Sequence, residues 1–188
     1  MFINAVRHLM KILTHKFWVG IYCFKAGLYW QGIVHDLSKF SPTEFIESVR
    51  YYQGNRSPID ACKEKNGYSM AWLHHRGRNY HHYENWVDNF DNYNTEKGIT
   101  LLQMPFKYAL EMLCDYLGAG RAYWGSKFTF EDEWKYWLNK RKRCAMNPYT
   151  KHFIDRCLYI MRENGSSDIL SNRRLLEMIY EEKSTDLN

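Results

Sequence analysis

His35 is followed directly by Asp36, and His74-His75 and His81-His82 place four imidazoles within a short stretch. His15 stands further upstream, inside a run of helical apolar spacing, where a polar ring needs a partner. Neutral imidazoles combined with a few carboxylates are the ligand chemistry of transition-metal centres, and such centres draw their ligands from several helices. Asp115 is a candidate to close one from a distance, because its helix is strongly apolar and no Lys or Arg stands at 119 to pair with it. Each residue alone has a plainer role as a hydrogen-bonded core group. Adjacent residues on a helix diverge by ~100°, so one member of each His pair can point elsewhere. The set as a whole is far more specific than any member.

These residues must be positioned by helices. Phe2, Ile3, Val6, Leu9, Met10 and Leu13 follow helical spacing, and Phe17 to Phe24 is apolar on every side, which predicts a helix running through the middle of the fold. Ser41-Pro42-Thr43-Glu44 is a capping box with Pro at the first helical position, opening a helix that turns Phe45, Ile46 and Val49 inward. Residues 54–66 read as a loop, Tyr68 to about Leu73 as the start of a helix, and the Asn- and Asp-rich stretch 87–100 as a second loop. Pro105 opens a long helix with Phe106, Ala109, Leu110, Leu113, Cys114 and Leu117 on one face. Further helices are expected at about 130–144, 148–163 and 172–183. Nothing reads as an alternating strand of any length, so the expected fold class is all-α.

The order His15, His35-Asp36, His74, His81-His82, Asp115 resembles the HD-domain superfamily of metal-dependent phosphohydrolases, with His35-Asp36-Leu37-Ser38-Lys39 similar to its H-D-x-x-K variant. The whole chain also resembles a small uncharacterised family of bacterial and phage proteins. Two departures are visible: Asn85-Trp86-Val87 stands where the cyclic-dinucleotide members carry Gly-Tyr-Pro, and Lys11 where some members carry a glutamate. The resemblance implies a single helical bundle, with residues 1–125 as the metal-binding core and 126–188 as additional helices packed on it, frayed near 184–188.

The resemblance also implies one or two divalent transition-metal ions, Mn, Fe, Co, Ni or Zn. His15, His35, Asp36 and Asp115 would hold the first. Asp36 would bridge to a second held by His74 with His81, His82 or both. Lys39 would act beside Asp36 in catalysis, and Arg76, Arg78 and Arg121 would grip phosphate oxygens. Glu84 and Glu111 would hold ligand rings from behind. Tyr80, Tyr83, Trp86, Trp72 and Tyr123 are candidates to stack a base. The activity implied is hydrolysis of a nucleotide or other small phosphate ester by metal-activated water. A di-iron oxygenase and a non-catalytic metal- or nucleotide-binding module are the alternatives.

Composition narrows the setting. The hydrophobic fraction is 45% and the charged fraction 25%, which excludes disordered and fibrous classes. A net charge of +5 suits anionic small molecules, whereas a dedicated nucleic-acid binder concentrates more charge. Lys140-Arg141-Lys142-Arg143 reads as the solvated end of a helix. Five cysteines without a C-x-x-C pair point to a reducing, cytoplasmic setting. No membrane partner is expected, since no apolar run is long enough to span and no cleavage site follows the first apolar octet. A homo-oligomer is left open.

Overall fold

The computed structural model describes residues 2–89 and 98–182. The expected N-terminal helix is one continuous rod, α1 (Phe2–Lys25), which buries His8, Ile12, His15, Val19, Tyr22 and Cys23 along a single face. The short α2 (Tyr29–Val34) folds back on it and leads into a 3-10 turn at Leu37–Phe40. Next come α3 (Pro42–Arg50), α4 (Pro58–Asn66) and α5 (Met70–Arg78). Strands β1 (Val87–Asn89) and β2 (Ile99–Leu101) form a small antiparallel pair with Val87 opposite Leu101. The long α6 (Phe106–Trp124), α7 (Phe130–Arg141), α8 (Pro148–Asn164) and α9 (Arg173–Glu181) complete the chain. Among the described residues the fold is all-α apart from this two-stranded ribbon.

The central contact is α1 against α6. Leu110, Leu113, Cys114 and Leu117 are fully buried there against Val19 and Cys23, and the same core continues through Trp137, Phe153 and Leu176. Gly118 allows the approach, because a Cβ at that position would meet the backbone and side chain of Val19. All five cysteines are free and buried. Among the described residues, no helix is long and apolar enough to cross a membrane.

Four local expectations are corrected. The stretch read as a loop contains α4, opened by Pro58 at its first turn and ended by Gly67 at φ 80°; three charged residues near its end hid the short helix. Within 87–100 the backbone pairs as β1 and β2, and residues 90–97 lie outside the described ones. The second half of α1 is buried on one face only, with Phe17, Ile21 and Phe24 exposed. On α3, Ile46 is exposed while Glu44 is buried. The expected fraying at 184–188 lies outside the described residues.

Candidate metal centre

Four segments bring the donors together. α1 supplies His15 from its buried face, and α6 supplies Asp115 across the tight crossing at Gly118. His35 ends α2, and Asp36 follows with φ 55°, the one positive φ at a non-glycine among the described residues. Asp is among the few side chains that tolerate this left-handed geometry. The turn breaks the helical divergence between neighbours, so His35 and Asp36 both face inward. His75 comes from α5, and His81 and His82 from the turn after it.

The donor atoms converge. His15 Nε2 lies 3.3 Å from Asp36 Oδ2 and 3.1 Å from Asp115 Oδ1. His35 Nε2 lies 3.3 Å from Asp36 Oδ2 and 3.4 Å from Asp115 Oδ1. On the other side of the same carboxylate, Asp36 Oδ1 is 3.3 Å from His75 Nε2 and 3.5 Å from His81 Nε2. His82 joins this second set. Ligands held ~2.1 Å from one ion in tetrahedral or octahedral geometry are themselves roughly 3.0–3.4 Å apart, which matches these spacings. His35 Nε2, His81 Nε2, His82 Nε2 and Asp36 Oδ1 are buried with no hydrogen-bond partner. Four unpartnered buried polar atoms in one cluster are costly unless a cation satisfies them, so the residues fit a metal ion.

Carboxylates behind the rings fix their orientation. Glu111 Oε1 accepts from His35 Nδ1 at 3.1 Å and lies 3.3 Å from His81 Nδ1. Glu44 spans α5, with Oε1 2.6 Å from His74 Nδ1 and Oε2 2.8 Å from His75 Nδ1. A carboxylate can only accept, so each such ring carries a proton on Nδ1, and at His35, His75 and His81 this turns Nε2 to the centre. Trp72 packs edge-on to His82 with ring centroids 4.9 Å apart.

Electrostatics agree with this arrangement at Asp36, Asp115 and His82 and oppose it at His35. Burial would raise the Asp36 carboxyl, but His35, Lys39 and His75 outweigh it and hold Asp36 well below the usual carboxylate range. Asp115 is likewise held down, its burial overcome by hydrogen bonds from His15 and His35. Burial, with His81 and His75 adding, pushes His82 well below the ordinary imidazole value and keeps it neutral. At His35 burial is outweighed by Asp36, Asp115 and Glu111, which hold its proton affinity well above the ordinary imidazole value, so a metal ion at Nε2 would have to displace a proton there. Lys39 Nζ reaches Asp36 Oδ2 at 2.5 Å, and its side chain is 26% exposed, so a fixed cation stands at the rim.

Of the residues expected from sequence, His15, His35, Asp36, His81, His82 and Asp115 meet at the centre, with Lys39 and Glu111 beside it. His74 is corrected to His75: the two diverge along α5, and His74 turns to Glu44 with its side chain 20% exposed. Glu84 reaches no ligand ring, its Oε2 being buried without a partner. Arg121 bonds the Tyr22 hydroxyl and stacks on Trp18 and Phe128, which is a packing role. Arg76 and Arg78 follow His75 on α5 and make no ion pair among the described residues. Tyr80 and Trp86 pack on Tyr108, and Lys11 stands over Tyr123, while Tyr80 and Tyr123 remain exposed. In the basic run, Arg141 pairs with Asp155 and Lys140 lies over Tyr116. Glu44 had no signature of its own in the sequence, because its place in a capping box already accounted for it. In the structure Ser41 Oγ does accept from the Glu44 N–H, while the Glu44 carboxylate turns away to the histidines.

Residues 4–160 match the model of a family of unknown function, DUF5662. The chain belongs to this family. The match takes in every donor of the centre, from His15 to Asp115, and ends inside α8. No curated protein and no solved structure matches the chain.

Proposed function

We propose that the protein is a metal-dependent phosphohydrolase acting on a nucleotide or other small phosphate ester. The observation that carries this reading is the division of the Asp36 carboxylate, with Oδ2 facing His15 and His35 and Oδ1 facing His75 and His81. A carboxylate whose two oxygens face separate imidazole sets is suited to bridging two cations. His15, His35 and Asp115 would hold one of them, and His75, His81 and His82 the other. Divalent cations bound there would acidify a water and offset charge on the attacking and leaving oxygens of a phosphate ester.

The chain's own residues supply the rest. Lys39 presents a charged ammonium at the exposed edge of an otherwise buried centre, where it can attract and orient a phosphate oxygen. Burial would lower its affinity for the proton, but Asp36 and Asp115 outweigh that and keep it protonated. Glu111 and Glu44 hold the imidazole protons on Nδ1, so the rings do not rotate away from the centre. The resemblance to HD-domain phosphohydrolases supports the same assignment.

Elemental analysis of protein purified without chelator, followed by a screen of phosphate mono- and diesters, tests the reading. One to two transition-metal ions per chain are expected, with turnover that falls in Lys39→Ala while metal content stays near wild type. Absence of metal even after incubation with Mn or Co would overturn it. Five imidazoles with two carboxylates also suit iron, so iron together with oxygen-dependent substrate loss would replace it with an oxygenase.

A further inference from the structure

The face of α1 opposite the metal centre is apolar and, among the described residues, is covered only where α2 crosses at Gly20. Ile3, Val6, Met10, Leu13, Phe17 and Phe24 are all exposed, Ile3 at 64% and Phe17 at 62%. Their spacing alternates three and four residues, with Gly20 in the remaining position where α2 crosses, and Phe2, Leu9 and Ile21, also exposed, widen the same face. Apolar residues at this spacing are what a helix presents to a second helix.

Charge and area point to the same kind of occupant. Of the four cations of α1, three are bound by other groups of the fold. Lys11 bonds the Ala122 carbonyl, Lys16 the Ile33 and His35 carbonyls, and Lys25 pairs with Asp168. They are spent within the fold and offer little to lipid phosphates or an acidic partner. At ~200 Å² for a full large side chain, the exposed apolar residues of α1, with Phe2, Leu9 and Ile21 included, present roughly 950 Å². That exceeds the ~300–600 Å² patch usual on a monomer and meets the ~800 Å² per partner of a stable interface. Tyr29, Trp30 and Ile33 on α2 are also exposed and extend the patch past Phe24.

We propose that this stripe is a self-association seam, along which α1 of one protomer packs against α1 of a second copy. The metal centres then face away from the interface, since His15 occupies the opposite side of the same helix. Sedimentation of the full chain at micromolar concentration should give a particle of about twice 22.7 kDa. Phe17→Glu and, separately, Met10→Glu should each weaken association by about 30-fold or more, as expected for a central interface anchor. Both side chains are exposed, so helical content should stay at the wild-type level. Met178→Glu, an exposed apolar site on α9, should leave the dimer intact. A wild-type monomer throughout this range, or a dimer indifferent to both α1 substitutions, would overturn the proposal. A monomer that binds phosphatidylserine vesicles through Phe17 would overturn it in favour of a lipid occupant.

Discussion

Gly118 of α6 rests directly on the backbone of Val19 of α1. His15 lies one turn before Val19 and Asp115 one turn before Gly118, and this close crossing brings the His15 ring within 3.1 Å of the Asp115 carboxylate. A side chain at 118 must push the helices apart at the point that sets this distance. Gly118→Ala is therefore expected to cost about 1–3 kcal/mol of stability, the usual range for overpacking a core, and to weaken metal binding as well. Denaturant unfolding and metal titration check the two effects. A variant with lower stability but wild-type metal affinity would show that the centre tolerates movement of α1.

Asp36 combines a left-handed backbone with two inward-facing oxygens. Asparagine also tolerates this backbone and keeps the side-chain shape, but it lacks the charge. Asp36→Asn should keep its helical content and lose divalent-metal binding, whereas Asp36→Ala should lose metal and about 1 kcal/mol or more of stability from the strained φ. Circular dichroism with elemental analysis on both variants separates backbone from ligand.

The clustering of these side chains was legible in the sequence because the set is more specific than any member, each of which alone has a plainer role in the core. His15, His35-Asp36 and Asp115 could be named as candidates from their residue types and order, Pro105 marked the start of the helix that carries Asp115, and Ser41 marked the start of α3. The choice between His74 and His75 was not legible, since it depends on the rotation of α5 about its axis, which Glu44 and the Ser69 cap set from outside. The role of Glu44 was hidden for the same reason: its carboxylate acts across space on a helix 30 residues away in sequence. Helix α4 and the β1–β2 pair escaped because short elements with polar surfaces carry almost no periodic signal.

Glu44 holds the two neighbouring rings with separate oxygens, yet only His75 faces Asp36. Removing a carboxylate behind a ligand imidazole typically costs 10–100-fold in metal affinity. Glu44→Gln should show a loss of that order, and His75→Ala a larger one. His74→Ala should bind metal nearly as wild type does. Isothermal titration with Mn or Co checks the series. Equal losses for His74→Ala and His75→Ala would mean that both rings serve the centre.

Glu133 of α7 is 5% exposed, close to Gly120 and Phe128. Burial, opposed by Lys140 and aided by Asp115, pushes its carboxyl up to about 8 from an ordinary value of 4.5. Between these two values the folded chain keeps a proton that the unfolded chain releases, so this residue makes stability fall as pH rises. Its stabilising contribution is fully present below pH 4.5, fades through the interval and is gone above about 8. At 1.36 kcal/mol per unit the ceiling is about 5 kcal/mol, and relaxation of water and Lys140 towards the ionised group lowers it. Glu133→Gln carries no such proton. The stability difference between variant and wild type should therefore grow in the variant's favour from pH 5 to pH 8, by about 1–3 kcal/mol. The metal ligands titrate in both proteins alike, so the difference isolates Glu133. Parallel stability curves from urea unfolding across that range would place the carboxylate in contact with water or a cation and end this account.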